Sequence, residues 1–314
     1  ARDLRAAGIH SPVLVLGACD AADARWAAAH DVRLTINDMA DIPRLASLDT
    51  GLVVHVNIDT GMGRTGILDT EARVLGETLA RHPLLRAEAL FTHFASADAP
   101  KTRSVSLQQE RFARARASVE QAGIHADMTH VANSAAIARF PAANARYVRP
   151  GIALYGCNPD PGQDFGLDLR PVAALKAGVA KVKKVPSKTA ISYGGHYVTK
   201  QETHIATIPI GYAHGLPRLL SGKGEVLVKG RRYRIVGNVT MDYVMIDAGP
   251  RTDIVAGDEA VAIGRQGNEC IHPDEVARIA DTIGYEILCG LNTRIDRYYI
   301  QGGKIVSRNH GIQY

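Results

Sequence analysis

The sequence lacks several features that each mark a class of protein. No apolar stretch approaches the roughly 18 residues that a membrane-spanning helix needs. No GxxxxGK(S/T) segment occurs, which excludes a P-loop nucleotide site. The cysteines form no CxxC pair and have no zinc-site spacing, and they are Cys19, Cys157, Cys270 and Cys289. We therefore expect no metal site and no membrane association, and we predict reduced thiols in a cytoplasmic protein.

The sequence also lacks a large excess of positive or negative charge. The 37 Lys and Arg residues are scattered among 32 Asp and Glu residues, and the formal net charge is only +5. The short basic runs at 181–184 and 231–232 predict solvated faces rather than the continuous stripe that a nucleic-acid partner needs. With 46% apolar and 22% charged residues over 314 positions, the chain has the composition of a globular protein with room for two domains.

Short apolar runs alternate with helix-forming stretches through the first half of the chain. The predicted strands are 13–17, 32–37, 52–58, 85–94, 128–132 and 147–155. The segments between them are rich in Ala, Leu, Glu and Arg and predict helices at 21–29, 39–48, 70–81, 105–122 and 134–139. Alternation of strands and helices indicates parallel βα units, and several of the strands are apolar throughout, as is typical of strands buried on both faces.

The pattern changes after a loop at 158–166 that is rich in Pro, Gly and Asp. We predict a domain boundary there, with a βα domain at 1–165 and a mainly β domain at 166–314. The predicted strands of the second domain are 176–185, 204–208, 224–228, 232–236, 243–247 and 259–263. One helix is predicted at 273–283.

Residues 61–66 (GMGRTG) match the GxGxxG pattern of dinucleotide-binding proteins. The context does not fit that pattern, because Asp59 and Thr60 separate the preceding strand from the first glycine and the next helix begins only near residue 70. No acidic residue ends the following strand, where a ribose hydroxyl would be bound. A plain tight turn is the alternative, and an NAD-binding protein is the least favoured one.

Seven segments together resemble the alanine racemase family, in the order of that family. They are 54–66, 91–95, 130–136, 148–156, 191–194, 237–242 and 282–286. The resemblance implies a TIM-type (β/α)8 barrel followed by a mainly β domain, with pyridoxal 5'-phosphate as cofactor. It implies an isomerase that interconverts L-alanine and D-alanine, a precursor of peptidoglycan. It also implies a homodimer with shared active sites.

The resemblance assigns the proton transfers and the cofactor ring. Racemisation needs a base on one face of Cα and an acid on the other. Tyr193 matches the catalytic tyrosine of one face, which the family donates from a partner subunit, although a plain turn residue is its alternative. Arg149 matches the arginine at the pyridine nitrogen, and His93 matches the histidine that hydrogen-bonds it. An arginine keeps its proton, so the ring nitrogen stays unprotonated, which suits racemisation over decarboxylation.

Further site residues follow from the same resemblance. The residues that match the phosphate site are Ser134, Gly151, Ile152 and Tyr285. The residues that match the substrate site are Arg64, Met241 and Tyr212, and Asp242 is a further candidate catalytic residue. A helix cap is the alternative for Ser134, and a turn residue is the alternative for Asp242.

Two positions depart from the family pattern. Asn57 stands where many members have a lysine that becomes carbamylated, and members with asparagine are thought to bind chloride, so we predict an anion near Asn57 and Arg64. The lysine that forms the Schiff base sits in a Val-Lys-Ala-Asn-Ala-Tyr-Gly-His-Gly motif, which this sequence does not contain. Six predicted strands instead of eight agree with roughly 70 missing residues. We therefore expect a partial barrel that does not racemise alone.

Two alternatives to alanine racemisation stay open. One is a racemase for serine or for a broader set of amino acids. The other is a non-catalytic fragment that binds pyridoxal phosphate.

Overall fold

The computed structural model describes residues 1–99 and 103–311. They form two compact units, Ala1–Gly151 and Ile152–Tyr314. The boundary predicted after residue 165 falls inside the second unit, which begins at Ile152. The segment between these two positions contacts other residues of that unit. Asn158 N donates to Asp274 Oδ2 at 2.9 Å, and a Cβ on Gly156 would lie 1.9 Å from the carbonyl oxygen of Arg170.

The first unit is built from short strands and helices that mostly alternate. Its strands are β1 (Val13–Leu14), β2 (Val32–Ile36), β3 (Leu52–Asp59), β4 (Ile67–Leu68), β5 (Leu85–Phe91) and β6 (Met128–His130). Its helices are α1 (Arg2–Ala6), α2 (Ala21–Ala29), α3 (Asp41–Ala46), α4 (Ala72–Ala80), α5 (Ser104–Gln121) and α6 (Ser134–Arg139). All strand pairs are parallel, in the order β1-β2-β3-β5-β6, with β4 beside the end of β3. The predicted parallel βα organisation is confirmed.

Burial explains why these segments adopt these structures. Six of the eight residues of β3 are buried, since the sheet is covered on both faces. In α4 the buried residues recur at helical spacing, and they are Ala72, Leu75, Gly76 and Leu79. Gly76 lets the helices approach closely, because a Cβ there would lie 2.7 Å from the Cβ of Ala122, which caps α5.

The strand predicted at 147–155 is wrong. Arg149 forms only an isolated parallel bridge with Asn133, and Ile152–Tyr155 is a 3-10 helix. Pro150 explains the break, because it has no N–H with which to continue a ladder. Several other predicted strands are longer than the observed ones, β1 and β6 in particular.

The second unit is mainly antiparallel β structure. Its strands are β7 (Leu175–Gly178), β8 (Lys181–Val185), β9 (Ala190–Ile191), β10 (Tyr197–Val198), β11 (Thr203–Ile208), β12 (Glu225–Val228), β13 (Arg231–Val236), β14 (Val244–Gly249), β15 (Glu259–Gln266), β16 (Glu269–Ile271), β17 (Arg297–Gln301) and β18 (Lys304–Asn309). Its helices are α7 (Pro273–Ile279) and α8 (Gly284–Gly290). The main sheet has the order β16-β15-β12-β13-β14-β11-β8, with β7 also beside β15.

Two predictions for this unit are wrong in detail. The single strand predicted at 176–185 is two strands, because the chain leaves β15 after Gly178 and joins β11 at Lys181. The helix predicted at 273–283 ends at Ile279 and is followed by α8, which was not predicted. Asp281 between them has a φ of +56°, which ends the helical path. Within residues 1–99 and 103–311, no helix is long and apolar enough to cross a membrane.

Candidate active site

A cavity of about 250 Å³ opens in the first unit, where β3 and β5 end. The carboxyl ends of parallel strands are the usual place for a ligand in α/β proteins. The side chains and backbone that line the cavity are Leu16, Asn57, Ile58, Asp59, Met62, Arg64, Thr65, Phe91, Thr92, His93, Arg149, Pro150 and Gly151. Five of the residues singled out from the sequence are therefore brought together here: Asn57, Arg64, His93, Arg149 and Gly151.

Arg149 is the most constrained side chain of this cavity. Its Nη1 contacts both the Nδ1 atom of His130, at 2.6 Å, and the carbonyl oxygen of His130. Its Nη2 donates to the carbonyl oxygen of Thr92 at 2.8 Å and lies 3.4 Å from His93 Nδ1. No described group accepts the remaining N–H, on Nε, so one donor stays available to a ligand. Burial, together with the charge of Arg64, lowers the pKa of Arg149 to about 10, which still leaves it charged near neutral pH.

His93 faces the same guanidinium and is held neutral. Burial and then the charges of Arg149 and Arg64 lower its pKa to about 4. A neutral imidazole can accept a hydrogen bond from Arg149 on one nitrogen and donate from the other. The predicted contact between His93 and Arg149 is present in the structure.

Ser134 and Gly151 meet at the edge of this region. Ser134 is 2% exposed, and its Oγ accepts a hydrogen bond from Gly151 N at 2.8 Å. The helix cap that was the alternative for Ser134 is Asn133 instead, whose side chain accepts from Ala136 N. Ile152 and Tyr285, the other residues of the predicted phosphate site, lie in the second unit, at the start of a 3-10 helix and in the first turn of α8.

Asn57 lies 2.8 Å from Asn37, with Nδ2 donating to its Oδ1, and 3.2 Å from the hydroxyl of Thr65. The buried amide is therefore fixed in place at the end of β3. Arg64 and Arg149 both raise the positive potential of the cavity, since each appears among the charges that lower the pKa of His93.

The glycine loop at 61–66 is organised by Asp59 and not by a nucleotide. The Asp59 carboxylate accepts hydrogen bonds from the backbone N–H groups of Gly61, Met62 and Gly63, at 2.9 to 3.2 Å. These are the N–H groups that a dinucleotide phosphate would need. The loop is thus a carboxylate-bound turn, which opposes the NAD-binding alternative.

Tyr193 lies on a strained turn of the second unit. Ser192 before it has φ 65° and ψ −179°, a conformation that costs about 1–3 kcal/mol in a residue other than glycine. Ser192 Oγ donates to Asn238 O at 2.9 Å, and Asn238 Nδ2 donates to Tyr193 O at 2.8 Å. Gly237 leaves room for this turn, since a Cβ there would lie 2.6 Å from the Cβ of Ser192. The side chain of Tyr193 is held outward, and the residue is 76% exposed.

The other candidate residues of the second unit lie in two adjacent turns. Tyr212 N donates to Thr240 O and Ala213 N donates to Met241 O, both at 3.0 Å. Gly211 permits this approach, because a Cβ there would lie 2.3 Å from Thr240 O. The structure therefore brings Tyr212 beside the 240–242 turn that contains Asp242.

Sequence reasoning missed several polar residues buried in the first unit. His130 contacts Arg149, and His55 contacts His130 in turn. Gln108 on α5 donates to His93 O at 2.9 Å and accepts from Ala95 N at 2.9 Å, so it fixes the loop that carries His93. The available signal was a histidine in the middle of a mostly buried strand, as His55 is in β3. No group of His, Cys, Asp and Glu residues in the described ranges could hold a metal ion.

Comparison with known proteins gives one consistent result. Residues 1–159 match the family model described as the alanine racemase N-terminal domain, and residues 172–299 match that of the C-terminal domain. The alanine racemase of Desulforamulus reducens is 42% identical over 307 residues, which cover 96% of this chain and 82% of that protein. That of Symbiobacterium thermophilum is 40% identical over 301 residues, covering 94% of this chain and 80% of that protein.

Solved structures agree with this result. The crystal structure of alanine racemase from Bacillus anthracis with bound L-Ala-P matches with a TM-score of 0.88 and 38% identity, covering 98% of this chain and 81% of that one. An alanine racemase of Clostridium difficile matches with a TM-score of 0.89 and 32% identity, covering 99% and 82%. The similarity extends through both units, and the predicted fold class is confirmed.

Proposed function

The chain belongs to the alanine racemase family, and on that premise we propose that it contributes an active site that interconverts L-alanine and D-alanine with pyridoxal 5'-phosphate. The observation that carries this proposal is the environment of Arg149. A charged guanidinium with one unused N–H lies in a cavity at the ends of parallel strands. It faces neutral imidazoles and carbonyl oxygens, and no carboxylate of the described residues contacts it.

The donor groups of the cavity fit this cofactor. The Nε–H of Arg149 suits an unprotonated ring nitrogen. A carboxylate would favour a protonated ring nitrogen, and among the described residues none contacts Arg149. The phosphate is assigned to Ser134, Gly151, Ile152 and Tyr285, the residues that match the phosphate site of the family. When bound, pyridoxal phosphate withdraws electrons from the Cα carbon of the amino acid and so acidifies its proton. Because Arg149 retains its own proton, this withdrawal is moderate, which favours reprotonation at Cα over other reactions.

Tyr193 is the group that we assign to proton transfer on one face of Cα. A phenol can both donate and accept a proton, as racemisation in the two directions requires. Its strained turn supports the assignment, because strain of this kind collects at functional sites. We assign Asp242 to the neighbourhood of this tyrosine in the role of a supporting residue.

Substrate binding is assigned to Arg64, Met241 and Tyr212. Arg64 lines the cavity and offers a cation to the substrate carboxylate. The backbone N–H of Met241 would donate to the same group. Alanine is the proposed substrate because the relatives are named alanine racemases. Serine is the competing substrate, and the activity test below includes it.

An anion such as chloride is proposed beside Asn57 and Arg64. Arg64 and Arg149 give the cavity an excess of positive charge, while the Asp59 carboxylate is already bound by three backbone N–H groups. The hydrogen bonds of Asn57 to Asn37 and Thr65 mean that the anion must replace one of them. Anomalous scattering from crystals soaked in bromide tests this site, and the absence of a peak there opposes it.

A homodimer is proposed from the exposure of Tyr193. A catalytic side chain that is 76% exposed needs a second surface to exclude water from the reaction. Sedimentation analysis tests the dimer, and a monomer that retains full activity opposes it.

The cofactor-binding lysine is proposed to lie outside this sequence. Of its ten lysines, nine lie at position 176 or later, and Lys101 lies outside the described residues. No lysine is among the described residues that line the cavity. Sodium borohydride reduction in the presence of pyridoxal phosphate, followed by mass analysis, tests this proposal. A stable adduct on one of these ten lysines would contradict it, and the mass of the natural protein can be compared with 33.7 kDa.

The function is tested by following the conversion of L-alanine to D-alanine, and of L-serine in parallel, by the natural gene product. We expect conversion of alanine and a loss of about 100- to 10,000-fold in the Tyr193→Phe variant, which lacks the transferable proton. The Tyr298→Phe variant is the matched control, because Tyr298 is an exposed tyrosine of β17 in the same unit. Equal activity in the Tyr193 variant and in the control would refute the assignment of Tyr193.

A further inference from the structure

A line of polar side chains runs from Arg149 through the interior of the first unit to Glu88. Arg149 Nη1 lies 2.6 Å from His130 Nδ1. The other ring nitrogen of His130, Nε2, lies 2.9 Å from His55 Nδ1. The second ring nitrogen of His55 then lies 3.1 Å from Glu88 Oε2. We name Glu88, His55 and His130 the relay.

The relay is buried, and the sheet is shaped to form it. His130 is 4% exposed and His55 7%, and the side chain of Glu88 is 12% exposed. In the pairing of β3 with β5, Val54 lies opposite Ala87 and His55 lies opposite Ala89. Glu88 is therefore the extra residue of a β-bulge, a device that redirects a side chain. Polar groups at this depth are costly unless every one of them is hydrogen-bonded.

The chemistry of the two ends fixes the direction of every hydrogen bond between them. Arg149 can only donate, so His130 Nδ1 must be an acceptor and its Nε2 must carry the hydrogen. His55 must then accept on Nδ1 and carry its hydrogen on Nε2. Glu88, as a carboxylate, can only accept, and it receives that hydrogen. Both ends therefore demand the same tautomer of each histidine.

Within residues 1–99 and 103–311, no carboxylate forms an ion pair with Arg149. Its hydrogen-bond partners are two backbone carbonyl oxygens and the imidazoles of His130 and His93. Burial and the charge of Arg149 lower the pKa of His130 to about 3, so this imidazole is neutral. The nearby positive charge of Arg64 is repulsive and, together with burial, lowers the pKa of Arg149. A buried cation in this position needs a negative charge within reach.

Glu88 supplies the carboxylate at the far end of this line. It is bonded to Arg33 Nε at 3.2 Å and to Arg86 Nη2 at 3.0 Å. Each of these arginines has a carboxylate of its own, since Asp31 lies 2.7 Å from Arg33 and Asp127 lies 3.2 Å from Arg86. Of these three carboxylates Glu88 has by far the least exposed side chain, 12% against 71% for Asp31 and 69% for Asp127, and it is the one that bonds to His55. Although burial opposes it, the hydrogen bonds from His55 and Arg33 hold the pKa of Glu88 below its ordinary value, so it is ionised.

We propose that Glu88 is a positioning residue for Arg149, which acts through His55 and His130 by fixing their tautomers and by balancing the charge of the guanidinium. The proposal rests on the proposed function only for the use of Arg149 at the cofactor ring. It extends the site from the cavity to the middle of strand β5. Its tests require neither pyridoxal phosphate nor catalysis, so its failure is distinguishable from failure of the proposed function.

The first test needs no variant. In protein labelled with ¹⁵N, long-range proton–nitrogen spectra assign the protonated nitrogen of each imidazole. We expect His130 and His55 to carry the hydrogen on Nε2 at neutral pH, with Nδ1 unprotonated. A protonated Nδ1 on either ring would overturn the proposal, because the line of hydrogen bonds would then be broken.

The second test compares Glu88→Gln with Asp127→Asn. Both variants lose one carboxylate charge at the same end of the sheet, but Asp127 contacts Arg86 and is 69% exposed in its side chain. We expect Glu88→Gln to lower the pKa of Arg149, followed by the ¹³Cζ resonance, by about half a unit to one unit. We expect Asp127→Asn to leave it unchanged. Equal shifts in the two variants, or no shift in either, would contradict the relay.

Discussion

Individual residues of this site owe their properties to burial more than to their chemical type. His93 and His130 both face Arg149 and remain neutral, because burial and a nearby cation disfavour a second positive charge. Arg149 stays charged because its contacts are all acceptors. Asp59 is committed to three backbone N–H groups and holds the loop that carries Arg64. The same residue types on a surface would have none of these properties.

The neutral state of the two histidines predicts a dependence of stability on pH. In the native state the pKa of His130 is about 3 and that of His93 about 4, against about 6.5 when unfolded. The unfolded state therefore binds more protons below pH 6.5, and stability that is complete above this pH is lost as the pH falls. Each histidine contributes a slope of up to about 1.4 kcal/mol per pH unit.

The measurement is urea unfolding between pH 7 and pH 5.5, a range that lies above the ordinary carboxylate pKa values. We expect the loss of stability over this range to be smaller in His130→Gln than in the unmodified protein. His10→Gln is the control, because His10 is exposed. The same pH dependence in His130→Gln and in the unmodified protein would show that His130 is not held neutral.

At the scale of elements, close packing depends on small residues at a few positions. Helix α4 buries Gly76 against the end of α5. A Cβ at Gly76 would meet the Cβ of Ala122 at 2.7 Å and the carbonyl oxygen of Val119 at 3.2 Å. Neither is the flexible end of a long side chain, so relief requires the two helices to separate.

We expect Gly76→Ala to destabilise the protein by about 1 kcal/mol. Overpacking costs about 1–3 kcal/mol, and the better helix propensity of alanine returns at most about 1 kcal/mol. Urea unfolding measures the difference. Gly51→Ala is the matched control, since a Cβ there meets nothing within 4 Å, and it should be neutral or slightly stabilising. A stabilised Gly76→Ala would mean that α4 and α5 are not packed this closely.

At the scale of the whole molecule, burial is unequally distributed over the two units. In the second unit the largest buried cluster lies between β12, β14, β15 and α7. The hairpin of β17 and β18 is exposed at every residue, including Tyr299, Ile300 and Val306. A segment with so little buried surface opens easily, whereas core strands open only with the whole unit.

Hydrogen exchange monitored by mass spectrometry should therefore separate these segments. We expect β14 and β15 to exchange slowest, and β17 and β18 to exchange much faster despite their paired backbone. Comparison at two protein concentrations is the control for self-association. Equal protection of the hairpin and β15 at both concentrations would contradict the prediction, because it would mean that the faces of the hairpin are covered.

The sequence by itself determined the alternation of strands and helices, because continuous apolar runs and helix-forming segments are local patterns. The resemblance of its motifs also predicted Arg149, His93 and Tyr193 as site residues, since each lies in a contiguous segment. Strand ends were less accurate, as at Pro150, where a missing N–H ends the pairing, and at Gly178, where the chain changes partner. The tertiary structure alone decided the relay, because Glu88 and His130 lie on different strands and meet His55 only through the register of the sheet and its bulge. It also decided that the Asp59 carboxylate accepts the N–H groups of the glycine loop. A sequence shows how many backbone N–H groups the loop has, but only the folded backbone sets the direction in which they point.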